Sequence, residues 1–263
     1  MKLALLTYNM AAEWDLDTLL EKCVLLGFEG VEFRTDRDHA HGVEVEMTEA
    51  QRNAVREKCE TAGVEIAGLS SGCAYDSMDR DELEANIERT RKHLDLCADL
   101  GTGGVKVYGN RLHVDEGVPA EETIEQIGGA LAGLSEYAEG LGVQVRFEMH
   151  GDFTTPEVCN RLMELAGDGE GICLIYNCNN AYDVDDDGSV EGSYRAVAER
   201  VEHVHIHDLA DPEFPYLELL GLLHEDGYEG WCSAELQDSP DRERLLRFYV
   251  ELWHAYLRIV GAE

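Results

Sequence analysis

The 263-residue chain is predicted to fold as one α/β domain over residues 1–263, a (β/α)8 barrel of eight parallel strands inside a ring of helices. Three observations predict it. Eight short, mostly apolar runs recur, their starts 28 to 40 residues apart, and each is followed by a longer stretch with helical periodicity. Runs buried on both faces and joined by helical crossovers make a parallel sheet. Eight such units in about 250 residues are the usual proportions of a closed barrel. A doubly wound open sheet would ordinarily carry G-x-G-x-x-G after a strand, and none follows one here.

The predicted strands begin KLALLTY at Lys2, GVEFR at Gly30, VEIAGLS at Val64 and GVKVY at Gly104. They continue with VQVRFEM at Val143, GICLIY at Gly171, VEHVHIH at Val201 and WCSAEL at Trp231. Between them, Trp14–Leu26, Asp81–Leu100, Thr123–Leu141 and Pro240–Val260 read as helices, each stopped by a glycine at the position after its last residue. Thr48 and Thr155 are the expected N-caps of two more, with Pro156 at the first helical position.

An apolar fraction of 44% gives a chain of this length a substantial core and excludes intrinsic disorder, despite a net charge of −34. That charge repels phosphodiester backbones and anionic membranes, so neither nucleic acid nor a membrane is an expected partner. Only five of the 21 basic residues are lysines. An acid-rich, lysine-poor balance is expected of a protein from a salt-accumulating halophile, where salt screens the self-repulsion. The eight cysteines form no C-x-x-C pair and sit in apolar patterns, and the amino-terminal run lacks a signal peptide's length and cleavage pattern. Both point to a reduced, cytoplasmic protein.

In such barrels the chemistry sits at the carboxyl ends of the strands. The last four strands deliver Glu148, the Asn177–Asn180 segment, His203-Val204-His205-Ile206-His207 and Glu235 to one rim. Two carboxylates, an imidazole and an amide or carboxylate oxygen suit a single divalent ion, Mn²⁺ or Mg²⁺ foremost, with Co²⁺ or Zn²⁺ as alternatives. His203, His205 and His207 share one face of their strand by alternation, and His205 is the one placed to meet Glu148 and Glu235. Taken singly, each residue has an ordinary reading as a solvated carboxylate or a hydrogen-bonded core histidine; it is their concurrence that predicts a site.

The stretches Gly30-Val31-Glu32-Phe33-Arg34, Phe147-Glu148-Met149-His150-Gly151, His203-Val204-His205-Ile206-His207-Asp208 and Gly227-Tyr228-Glu229-Gly230-Trp231 with Glu235 resemble the xylose isomerase-like TIM-barrel superfamily, in its sugar phosphate isomerase/epimerase branch. The resemblance covers nearly the whole chain. It implies that Glu148, Asn177, His205 and Glu235 bind one divalent metal, and that Glu148 and Glu235 move protons at carbons next to a carbonyl, with metal stabilising the enediolate. The family pattern has Asp where this chain has Asn177, which removes one ligand charge and weakens metal binding.

The function expected is therefore a sugar or sugar phosphate isomerase or epimerase. The alternatives are a barrel that binds a sugar or sugar acid with weak metal or none, and a lyase acting on a keto-inositol. The DNA-repair endonuclease branch would need a richer set of zinc ligands than is present. His150, Arg34, Lys106, Asn180 and His207 are candidate substrate contacts. For Glu32 and Arg34 the competing expectation is a salt bridge to each other or to neighbours, and Lys106, inside strand 4, requires a carboxylate partner near Glu148. The acidic run Asp183, Asp185, Asp186, Asp187 lacks calcium-loop spacing and is expected to be solvated surface. Barrels of this kind often pair, so a homodimer is open.

Overall fold

The computed structural model describes residues 1–262, apart from the side chain of Asn180. Eight parallel strands close into a barrel in chain order: β1 Lys2–Leu6, β2 Gly30–Arg34, β3 Glu65–Ala74, β4 Gly104–Asn110, β5 Gln144–Gly151, β6 Ile172–Asn177, β7 Val201–Ile206 and β8 Trp231–Ala234. Pairing of Lys2 with Trp231 and of Leu5 with Ala234 closes the ring between β1 and β8. All eight predicted runs are strands.

Around them lie α1 Leu16–Leu26, α2 Glu49–Ala62, α3 Arg80–Leu100, α4 Ala120–Leu141 and α5 Pro156–Ala166. The crossover from β6 to β7 holds two short helices, α6 Asn180–Asp183 and α7 Glu191–Arg195, and α8 Tyr216–Glu225 and α9 Arg242–Val260 complete the ring. Glycine stops the predicted helices as expected: Gly27, Gly101, Gly142 and Gly261 are all left-handed. The starts differ by one to three residues, for local reasons. α1 begins at Leu16 because the Asp15 carboxylate accepts the Thr18 N–H at 2.8 Å. α4 begins at Ala120, after Pro119, and the Thr123 hydroxyl instead donates to the Leu112 carbonyl. α9 begins at Arg242. Thr48 and Gln51 form a full capping box, whereas Thr155 makes no side-chain cap bond and Pro156 alone sets that start.

The layer between sheet and helices is apolar, with Val31, Phe33, Leu69, Val107, Phe147, Val204 and Ile206 fully or almost fully buried. The barrel interior is not. Glu32 on β2 reaches His203 and His205 on β7, and Arg146 on β5 reaches Ala67 on β3 and His203 on β7. These strands are not neighbours, so the contacts run through the barrel's axis. Charged side chains thus occupy a space that most such barrels fill with branched apolar ones. Space for Arg146 comes from glycine: a Cβ on Gly103 would lie 2.5 Å from its Nη2, and one on Gly104 would lie 2.5 Å from the Gln144 carbonyl oxygen.

All eight cysteines are buried and unpaired, which matches their reading as small hydrophobes. Among the described residues no helix is long and apolar enough to cross a membrane.

The acidic run after β6 corrects an expectation. Asp185, Asp186 and Asp187 are exposed, but Asp183 is buried, accepting the Asn179 N–H at 2.7 Å. Burial, only partly offset by that bond, raises its pKa to about 7 from the usual 3.8. A raised carboxyl pKa costs the fold nothing below pH 3.8, where the group is protonated in both states. The cost grows between 3.8 and 7 and is complete above. Asp183→Asn, which keeps an acceptor for the Asn179 N–H, is therefore expected to stabilise the protein by about 2 kcal/mol near pH 8 and hardly at all near pH 4. Melting curves at the two pH values check this; an equal gain at both contradicts it.

Candidate active site

Three strands bring their carboxyl ends to one point. Glu148 near the end of β5, His205 near the end of β7 and Glu235 immediately after β8 each offer an atom to a shared cluster within 4.8 Å. His205 Nδ1 lies 2.8 Å from Glu148 Oε1 and 3.5 Å from Glu235 Oε2. Glu235 is placed by its own backbone, whose N–H donates to the Ile206 carbonyl at 2.8 Å and so continues the β7–β8 ladder by one residue. The two glutamates differ in freedom. Glu148 is buried with both oxygens engaged, Oε1 by His205 and Oε2 by Lys106 Nζ at 3.0 Å. Glu235 is partly exposed, and 3.5 Å to His205 is its only ionic contact among the described residues.

His205 is oriented from behind. Its Nε2 lies 3.2 and 3.3 Å from the two oxygens of Glu32. A carboxylate behind a ligating imidazole fixes the ring and makes the front nitrogen more basic. Glu32 is also bonded by His203 Nε2 at 2.9 Å. The tautomer of His203 follows: Arg146 Nη1 donates to its Nδ1 at 3.0 Å, so the ring proton sits on Nε2 and points at Glu32. A continuous chain therefore runs up the barrel from Arg146 through His203, Glu32, His205 and Glu148 to Lys106.

Its charge states follow from burial set against neighbours. Burial pushes His205 down, but Glu32 and Glu148 outweigh it and raise its pKa to about 10. Burial carries His203 down to about 4 against the pull of Glu32, so it is neutral. For Glu148 burial alone would raise the carboxyl; Lys106 and His205 hold it well below the carboxylate range. Glu32 is held down in the same way by the two histidines.

The donor set fits a divalent ion. Glu148 Oε1, His205 Nδ1 and Glu235 Oε2 converge, and the far nitrogen of the imidazole has its carboxylate partner. Asn177, paired with His205 across the β6–β7 register, is buried beside them. Its side-chain amide lies 2.9 Å from His207 Nε2, while His207 Nδ1 lies 3.1 Å from the Glu235 carbonyl oxygen. A carbonyl only accepts, so the Nδ1 proton belongs to that bond. Asn177 Oδ1 is the atom that faces Nε2, so the ring of His207 ties the Asn177 side chain to the Glu235 backbone.

The remaining predicted contacts divide. Arg34, Lys106 and His150 line a cavity of about 180 Å³ together with Glu148, Glu235, Tyr8, Arg37 and Tyr108. His150 stacks edge-on against Tyr108, with ring centroids 5.6 Å apart. His207 is not in that wall and instead ties Asn177 to the Glu235 backbone. Asn180 opens α6, and its side chain lies outside the described residues. Of the expected salt bridges, the mutual Glu32–Arg34 pair does not form, whereas Glu32 does pair with neighbours on the facing strand, His203 and His205. Glu32 turns to the two histidines, and Arg34 Nη1 donates to the Thr35 and Ser70 carbonyls. Glu32 was the residue the strand pattern undervalued: its partners are 171 and 173 positions away.

Comparison with known proteins agrees with this architecture. A family model described as xylose isomerase-like TIM barrel matches residues 20–253. Fructoselysine 3-epimerase of Escherichia coli O157:H7 is 20% identical over 231 residues, covering 80% of this chain and 82% of that protein. Among solved structures, an L-ribulose 3-epimerase superposes with a TM-score of 0.82 at 17% identity, over 99% of this chain and 96% of its own. A D-tagatose 3-epimerase-like protein gives 0.80 at 19% identity over 100% and 99%. The D-psicose 3-epimerase of Clostridium cellulolyticum H10, solved with D-tagatose, gives 0.80 at 14% over 98% and 99%. With its eight-stranded parallel barrel and a family model that spans most of its length, this chain belongs to the xylose isomerase-like TIM-barrel family.

Proposed function

We propose that this protein is a metal-assisted epimerase of a ketose or ketose derivative, moving a proton at a carbon next to the carbonyl. The observation that carries the reading is His205 Nδ1 facing Glu148 and Glu235 at once, with Glu32 behind the ring. Fructoselysine 3-epimerase, L-ribulose 3-epimerase and D-psicose 3-epimerase support carbon 3 as the centre that inverts, while a 3-keto-D-glucoside 4-epimerase of the same fold inverts a different carbon. Glu148, His205 and Glu235 would hold the ion, with the Asn177 carbonyl oxygen as the fourth protein ligand. When bound, the ion supplies charge to polarise the carbonyl and stabilise the negative charge left by a departing proton.

The two glutamates divide the work by their surroundings. Glu235 faces the cavity with an oxygen free of ionic partners, so it is the better placed to take the proton from carbon. Glu148 is an anion already held by Lys106 and His205, so its affinity for a proton is low until substrate displaces one of them. To return a proton it would take one from the Lys106 ammonium, 3.0 Å from its Oε2, and pass it to carbon, while the proton taken up by Glu235 leaves to solvent through the cavity. His150 and Lys106 are placed in the wall to bind substrate hydroxyls.

A second reading rests on the same distances. Lys106 and an imidazolium at His205 together neutralise Glu148 without any ion, as suits a barrel that binds sugar but does not turn it over. Thermal melting separates the two. Mn²⁺, Mg²⁺ or Co²⁺ should raise the melting temperature and EDTA should reverse it, since an ion bound only to the native state stabilises it. Asn177→Asp should enlarge the shift by adding a ligand charge. No shift with any ion in either protein, together with no exchange of a ketose α-hydrogen into deuterated solvent, would leave only the binding role.

A further inference from the structure

The chain carries 55 acidic residues against 21 Lys and Arg, so a cation should find a carboxylate with ease. Many do, among them Arg52 with Asp99, Arg161 with Glu121 and Arg242 with Glu13 and Asp238. Two arginines at the cavity mouth do not. Neither the Arg34 nor the Arg37 guanidinium has a carboxylate oxygen within 4 Å among the described residues; Glu44 Oε1, 3.4 Å from the Arg37 backbone N, accepts from that N–H instead. The acid between them in sequence, Asp36, is committed elsewhere, to Arg89 and to the Gly72 N–H.

Arg34 is also held in place. It is buried, its Nη1 donates to the Thr35 and Ser70 carbonyls at 2.5 and 2.8 Å, and its guanidinium lies 5.6 Å from the centroid of the Tyr8 ring. One side of the fork is thus anchored to backbone, while Nε and Nη2 have no hydrogen-bond acceptor among the described residues. Arg37 is exposed and lines the same cavity; burial first and the Arg37 charge second disfavour the charge of Arg34, while Asp36 favours it. Two guanidiniums that line one cavity, neither paired with a carboxylate among the described residues of so acidic a protein, are an arrangement that a bound anion would complete. Fixed arginine forks suit phosphate and carboxylate oxygens better than sugar hydroxyls.

We propose that Arg34 and Arg37 clamp an anionic group, phosphate or carboxylate, carried by the substrate, so that this site takes acidic sugars in preference to neutral ones. The proposal rests on the reading of the site as one that handles a ketose, and it names the class of ketose. The test is isothermal titration of the full chain, at one KCl concentration, with a neutral ketohexose, its 6-phosphate and the corresponding 6-carboxylate. At least one anion should bind about tenfold tighter than the neutral sugar. The favoured anion identifies the group, and either preference supports the clamp. Arg37→Gln and Arg34→Lys should each shrink the anion-to-neutral ratio at least about threefold, the second because ammonium lacks the planar fork. A neutral sugar bound as tightly as both anions, or a ratio unmoved in both variants, overturns the clamp. Proton exchange, measured separately, keeps the two failures apart. Arginine-dependent anion binding without exchange sinks the epimerase and leaves the clamp standing; exchange on neutral ketoses with no anion preference does the reverse.

Discussion

Glu235→Gln should lower the rate of hydrogen exchange at a ketose α-carbon by about 10²- to 10⁴-fold while leaving the fold intact. The amide is isosteric but cannot take a proton. Little else depends on the charge, since the side chain is partly exposed and its only ionic contact among the described residues is His205 at 3.5 Å. The comparison with Glu148→Gln sharpens the expectation. That change also removes the anion facing Lys106 at 3.0 Å and His205 at 2.8 Å, both buried. Breaking a buried pair from one side typically costs about 3–5 kcal/mol. Glu148→Gln should therefore lose both exchange and melting temperature, whereas Glu235→Gln loses exchange alone. Exchange at the wild-type rate in Glu235→Gln would remove that residue from the chemistry.

The strands and the three convergent residues were legible in the sequence for one reason. Each strand is short and largely apolar, and in such a barrel the polar residues toward its carboxyl end lie at the rim where the chemistry sits. That puts Glu148, His205 and Glu235 at one rim without knowledge of their partners. Glu32 escaped because a Glu two residues before an Arg on one strand suggests a local pair. The two side chains share a face, but what decides their partners is the opposite wall of the barrel, supplied by β7 some 170 positions later. Arg146 is hidden in the same way: alternation places it inward, and nothing local shows that Gly103 and Gly104 clear the space it fills. Asp183 was concealed by company, one buried carboxylate at the head of a run whose other aspartates are exposed. Periodicity reports which face a residue is on, and it is silent about what meets it there.

Glu32→Gln is expected to be the most damaging substitution that touches neither the cavity nor any metal-facing atom. The carboxylate is buried and receives hydrogen bonds from His203 and His205. An amide can still accept one bond, but its NH₂ must then face a histidine that is itself donating, and the anion that sustains the His205 charge is gone. His205 would be left with Glu148 as its one close buried counter-ion, and its pKa should fall from about 10. Loss of one member of such a buried network costs about 3–5 kcal/mol. For a protein of this size each kcal/mol shifts the melting temperature by about 2–4 °C, so a fall on the order of 10 °C is expected in EDTA. Metal affinity should drop about 10- to 100-fold, because the carboxylate that orients the ligating ring has gone. Titration with Mn²⁺ reads this directly and needs no substrate. The sign with pH is also fixed. A raised histidine pKa contributes stability in full below the usual 6.5 and loses it as pH climbs toward about 10. Wild-type protein in EDTA should therefore lose melting temperature across that interval, and Glu32→Gln should lose much less. If the two proteins melt in parallel from pH 6.5 to 10, and bind Mn²⁺ equally, Glu32 is a packed carboxylate and not the residue that sets His205 for its role.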